Sequence, residues 1–474
     1  MRSSLMRRHL GAPDRLKTTA ALKSLAAAAQ DSEFAPRDYV AFLLHIDAEI
    51  EHCLMVQYLY AGYSLGGPQV PERHRAMVRG WQEIILGIAK EEMGHLITVQ
   101  NVLRLIGAPL NLGREDFPWD VPFYPFPFSL EPLTLDSLAK YVYAESPRNW
   151  SGALADEITA RVKQATATPH HVSELFALLI PLVRDPNYVP DSAFQADTYS
   201  FQADWAEWGR GYQGGQRGNS TRANPPQTPD VLVATLSSRD DAVNALTQIA
   251  EQGEATSDNS SSPMGPSHFV RFRKIYEEMK AVSGEGWSPA RPVALNPYVS
   301  EDPEIDPAEG LVSDVKTTRI TKPEAVLWAK LHNVRYRMLL SYLIHTFVLE
   351  GGRVGAGVST PRGAIINATF GEMYNLRAIS DLLMQMPASQ GNPEAGNAGP
   401  PFQMPYTLDP PLGEPNRWRQ HLDLLTAAEG LIASLIRVAP PVRQPYLISM
   451  GEADRQMCIT AERILSKSIE QALT

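Results

Sequence analysis

Cysteine is nearly missing from this chain: Cys53 and Cys458 are the two among 474 residues. That excludes a disulfide framework or a zinc ribbon and fits a reducing, cytoplasmic setting, with both thiols acting as small buried hydrophobes. No apolar run reaches the ~18 residues that a membrane-crossing helix requires, so no membrane partner is expected. Positive charge is in deficit, with a net charge of -10 and a pI near 5.6, which argues against the basic face of a nucleic-acid binder. A Gly-x-Ser-x-Gly nucleophile turn and a Walker-type Gly-x-x-x-x-Gly-Lys are both missing. The glycine-rich Gly351–Gly357 stretch follows a helix rather than a strand and reads as a loop. Residues 1–34 begin arginine-rich and turn alanine-rich without a continuous apolar core. A leading arm is a simpler account of them than a secretory or transit leader.

What the chain does have is helical periodicity. Its 44% apolar and 20% charged residues are those of an ordinary soluble protein. Apolar positions three and four apart predict helices over 38–65, 74–106, 133–144, 169–184, 239–251 and 268–280. A further set is expected near 323–349, 363–386, 418–438 and 451–472. Gly66-Gly67-Pro68 ends the first helix, and Gly107 with Pro109 ends the second. Residues 109–132 are rich in proline and aromatics, cannot continue a helix, and are expected to pack over the bundle. Residues 185–229 form a long irregular loop, and ATSDNSSSPMGPS makes a polar break before His268. The fold class is all-α. The expected division is an arm (1–34), a metal-binding bundle (35–281), a linker (282–322) and a second helical unit (323–474).

Chemistry enters through charges placed on apolar faces. Glu92 and His95 are three apart on the second helix, so both side chains lie on one face, one turn from each other. That is the Glu-x-x-His spacing by which di-iron and di-manganese bundles hold metal. On the first helix, Leu44, Ala48, Glu51, Met55 and Tyr58 share a stripe. An ionised carboxylate there costs several kcal/mol unless a cation or strong donors meet it. Glu51 therefore needs a partner, and Glu92 with His95 on the next helix supplies one. In the second helical unit, His332, His345 and Glu372 lie on apolar faces and read as hydrogen-bonded core residues.

Several segments, in order, resemble the ferritin-like domain of the iminophenyl-pyruvate dimer synthases, the type found in violacein and rebeccamycin biosynthesis. They are Ile50-Glu51-His52; Glu91-Glu92-Met93-Gly94-His95; Tyr124-Pro125; Leu130-Glu131-Pro132-Leu133; and Glu145-Ser146-Pro147. Val172-Ser173-Glu174-Leu175-Phe176, Glu251-Gln252-Gly253-Glu254 and Ser267-His268-Phe269 follow, so that the likeness spans roughly residues 38–280. The resemblance implies a ferritin-like four-helix bundle with Glu51, Glu92, His95, Glu174, Glu254 and His268 as metal ligands, Glu251 being the rival of Glu254. It departs from the usual pattern in one respect. Glu254 and His268 are separated by the serine-rich break and cannot sit one turn apart, which puts the second metal position in doubt.

The resemblance further implies an oxidoreductase with iron, most simply a di-iron centre, or manganese. It would act on a small molecule, by precedent through oxidative coupling of an amino-acid-derived imine in specialised metabolism, and would form a homo-oligomer, most simply a dimer. Two other readings stay open at this point. One is a haem enzyme with His52 or His171 as axial ligand; the other is a non-catalytic ferritin-like metal-binding scaffold.

Overall fold

The computed structural model describes residues 34–114, 124–165, 169–208, 232–254, 265–299, 316–349, 360–405 and 407–473. The arm over residues 1–33, the serine-rich break over 255–264 and the glycine-rich 351–357 lie outside the described residues, as do parts of the two long loops and of the expected linker. Among the described residues are eleven helices of ten or more residues, and two two-residue strands that pair with each other. The chain divides into two compact units, residues 1–290 and 291–474.

In the first unit, α1 (Pro36–Ser64) and α2 (Arg75–Leu105) lie side by side along most of their length. Proline at the first position of α1 loses nothing, because that N–H has no intrahelical partner. Nearly all of α1 is buried, polar residues included. The two helices come close at Gly62, where a Cβ would stand 2.9 Å from Leu86 Cδ2. Helix α2 stops at Gly107, in the left-handed region at φ 68°. The Ala108 N–H reaches the Leu103 carbonyl and the Gly107 N–H reaches that of Arg104, a closure that glycine adopts without a Cβ penalty.

The other half of the bundle is assembled from shorter helices: α3 (Leu135–Ala144), α4 (Ala153–Ala165), α5 (Ser173–Arg184), α6 (Arg239–Glu254) and α7 (His268–Val282). Thr134 and Ser137 cap the start of α3 reciprocally. The Ser267 side chain accepts from the Val270 N–H at the start of α7. α5 packs on α6, α7 on α3, and α5 also reaches α1. Periodicity did not reveal α4. As expected of the aromatic loop, Tyr124, Phe126, Phe128 and Leu130 are buried. Phe126 stacks toward Tyr141 of α3, and Phe128 lies under the Arg114 guanidinium.

The second unit holds α8 (Pro323–Thr346), α9 (Pro361–Leu383), α10 (Glu414–Val438) and α11 (Gln444–Leu473). α8 packs on α9 and α10, and α10 on α11, around Trp328, Trp418, Leu331, Ile379, Leu383 and Leu435. Where it is described, the expected linker over 282–322 is no free connector. Residues up to Ala290 stay with the first unit, Gly66 donating to Pro289. Pro297–Tyr298 pairs in parallel with Thr318–Arg319, and Ala294 donates to Asn397, within the second unit. The physical reason is that extended segments need partners for their backbone groups, and these find them at once. His332, His345 and Glu372 do lie in the core: His332 meets Ser380 and the edge of Phe402, His345 bonds His421 and Glu414, and Glu372 accepts from Arg335.

Candidate metal centre

Glu51 on α1 and Glu92 and His95 on α2 converge in the middle of the first unit, each 2% exposed. His95 Nδ1 stands 3.2 Å from Glu51 Oε2 and 3.0 Å from Glu92 Oε2. His268, the first residue of α7, enters from the other side and is wholly buried. Its Nδ1 lies 2.9 Å from Glu92 Oε1 and 3.7 Å from Glu145 Oε2. The two imidazoles thus face each other, ring centres 5.5 Å apart, with the two oxygens of Glu92 turned one to each. Two three-residue sets each have their ligand atoms within 4.8 Å of one another: Glu51, Glu92 and His95, and Glu92, Glu145 and His268.

Each imidazole is held by its far nitrogen. His95 Nε2 donates to Gln252 Oε1 (2.8 Å), and His268 Nε2 donates to Glu91 Oε2 (2.9 Å). Glu91 is itself gripped by both terminal nitrogens of Arg271. An Nε2–H fixed in this way leaves Nδ1 to face the carboxylates, so something positive must stand between them, either a proton or a metal ion. Without metal it is a proton: burial opposes the charge on His95, but Glu51 and Glu92 push its pKa up to about 10. Burial likewise raises Glu91, yet Arg271 and His268 outweigh it and hold that carboxyl at about 2. Burial, and then Glu92, push Glu51 well above the ordinary range.

Protons alone do not satisfy the cluster. Although Glu92 Oε1 and His268 Nδ1 are 2.9 Å apart, neither has a hydrogen bond of acceptable geometry, and both are buried. Glu254 Oε1 is buried without a partner as well. Orphaned oxygens and a lone-pair nitrogen pointing into one space suit a cation better than a proton. Carboxylate with imidazole is the donor set of iron or manganese rather than of a soft-metal site. The residues present therefore fit a dinuclear centre with Glu92 between its two halves.

Of the six ligands expected, the structure gathers Glu51, Glu92, His95 and His268 directly. Glu254, at the end of α6, lines the same small cavity with Val172 and Phe176, while Glu251 is exposed. Burial, and then Glu145, push Glu254 up to about 8. Glu174 does not join them. It turns to His170 (3.1 Å) and Arg148 (3.7 Å), where a cation already balances it. Its place is taken by Glu145, at the C-terminal end of α3. A carboxylate there meets the negative end of the helix dipole, which marks it as needing a partner. Besides Glu92 and His268, it accepts a 2.6 Å hydrogen bond from Tyr58. Gly253 makes room for it, since a Cβ on that residue would stand 3.1 Å from Glu145 Oε2. Neither His52 nor His171 reaches the cluster. His52 Nδ1 bonds the Leu112 carbonyl, and His171 Nδ1 that of Tyr143.

Residues 44–277 match the family model described as Ferritin-like. The matched span lies within the first unit. Two enzymes are similar to the chain beyond this span. Dichlorochromopyrrolate synthase of Lentzea aerocolonigenes is 27% identical over 397 residues, covering 77% of this chain and 36% of that protein. The 2-imino-3-(indol-3-yl)propanoate dimerase of Chromobacterium violaceum is 24% identical over 394 residues, covering 75% and 33%. The chain thus spans about a third of the length of the curated relatives it matches. A solved ferritin-like protein from Caulobacter vibrioides shares 16% identity and a TM-score of 0.39, over 73% of this chain and 96% of that one. No helix among the described residues of either unit is long and apolar enough to cross a membrane.

Proposed function

We propose that the ferritin-like domain holds two divalent metal ions, most simply iron, and that the chain uses them to oxidise a small imine, joining two such molecules. The observation that carries the metal part is Glu92, whose two oxygens each face the Nδ1 of a different buried histidine, flanked by Glu51 and Glu145. Three buried carboxylates around one space, with the half-buried Glu254 beside them, repel one another unless cations balance them. Glu51, Glu92 and His95 would hold one ion, and Glu92, Glu145 and His268 the other. Once bound, such a pair supplies the electrons that reduce dioxygen or peroxide.

The imine part rests on the two relatives, whose names describe making dichlorochromopyrrolate and dimerising an imino-indolyl-propanoate. Joining two such molecules removes two electrons and two protons, so it requires an oxidant and proton acceptors. The chain's own residues would fix both imidazole planes through Gln252 and Glu91, keep Nδ1 unprotonated toward the ions, and exclude water with Phe176 and Leu54. Metal analysis of the purified chain tests this. Two iron ions per chain are expected, falling to near none in the Glu92→Ala/His95→Ala variant while its helical circular dichroism is kept. Full metal in that variant, or none in the parent chain, overturns the reading; an intense Soret band would point to haem instead.

A further inference from the structure

Asp47 takes no part in either three-residue set. It lies on α1 four residues, about one turn, before Glu51, on the same face of the helix. It is 0% exposed, and neither carboxyl oxygen has a hydrogen-bond partner. The charged groups that act on it are His95 and Glu92 of the neighbouring α2. Burial pushes its pKa up to about 8, against the pull of His95 and with the help of Glu92. Protonation does not resolve its position, because a buried carboxylic acid needs an acceptor for its hydroxyl and none bonds it here. A cation with its own water would satisfy both oxygens.

We propose that Asp47 and Glu51 form an additional divalent-cation position contiguous with the dinuclear centre, one helical turn along α1. The proposal rests on the metal reading above. A rise of ~6 Å separates residues four apart on a helix, which allows two carboxylates to turn to one ion. An all-oxygen pair completed by water suits a hard ion such as Mn²⁺ or Fe²⁺. Such a position gives an ion a place to rest on its way to or from the histidines.

Calorimetric titration of the metal-free full chain with Mn²⁺ decides the matter. In Asp47→Asn the weakest Mn²⁺ step is expected to vanish or weaken at least tenfold, with the tighter steps unchanged. At neutral pH the metal-free variant should also melt above the metal-free parent, because the parent must bury as an acid a carboxyl that is ionised in the unfolded chain. Asp47→Ser, smaller and able to admit water, is measured alongside in case the amide disturbs packing. An isotherm identical to the parent's in both variants overturns the assignment of Asp47 and leaves the centre standing. A parent chain that takes up no Mn²⁺ overturns the metal reading itself and this position with it.

Discussion

At the scale of single residues, the centre was legible where a charge interrupted a regular apolar stripe. Glu51, Glu92 and His95 stood out because helical spacing put them on inward faces, and those faces do meet. Glu145 and Asp47 were harder to see for physical reasons. Glu145 sits at a helix end, where periodicity says nothing about direction, and Asp47 is next to Ala48 in a helix buried on nearly every side. Glu174, expected among the ligands from its family segment, turns instead to His170 and Arg148, neighbours that the segment itself does not reveal. These placements separate cleanly in experiment. Glu145→Gln should lower metal content well below two ions per chain, whereas Glu174→Gln should leave it unchanged; elemental analysis of both variants checks the pair.

At the scale of elements, boundaries were legible wherever turn chemistry was explicit. The start of α7 follows from Ser267 and the end of α2 from Gly107. α4 was missed because its apolar positions are sparse between two loops. Gly107→Ala should cost about 1–2 kcal/mol in denaturant unfolding, the penalty of a left-handed backbone with a Cβ, which here would also meet Gln195 Nε2 at 2.6 Å. In the second unit, α8, α9 and α11 share a buried trio. Arg335 pairs with both oxygens of Asp454, so Glu372 is the surplus carboxylate. Burial raises Glu372 from 4.5 to about 7, with Arg335 opposing and Asp454 adding. A raised carboxyl stabilises the fold fully below pH 4.5, and that contribution is lost as pH climbs to 7. Glu372→Gln should flatten this fall in melting temperature. Burial, and for His421 also the charge of His345, depress His332 and His421 to about 3. Their contribution runs the other way, present above pH 6.5 and lost on acidification toward 3. The second unit should therefore be squeezed from both sides, which melting curves from pH 4 to 8 would reveal.

At the scale of the whole molecule, an all-α chain of two units was legible from periodicity and proline-rich interruptions, and the likeness to the dimer-synthase family is borne out by the two relatives. The observed division after residue 290 falls inside the expected linker over 282–322; what periodicity does not show is the pairing of segments about twenty residues apart, such as 297–298 with 318–319. Among the described residues, both metal-competent sets lie in the first unit. Chelation should therefore lower the unfolding transition of that unit, by ~2.7 kcal/mol if free metal stood at a hundred times its dissociation constant. The transition of the second unit should stay where it is, and calorimetry with and without chelator distinguishes the two.

Glu92 stands astride the two histidines. On the proposed centre, an ion in one half would displace the proton at that imidazole and hold Glu92 in the orientation that the other half also needs, so the two ions should load in concert. A chain given half its complement of iron would then be a mixture of full and bare molecules rather than a population of singly loaded ones.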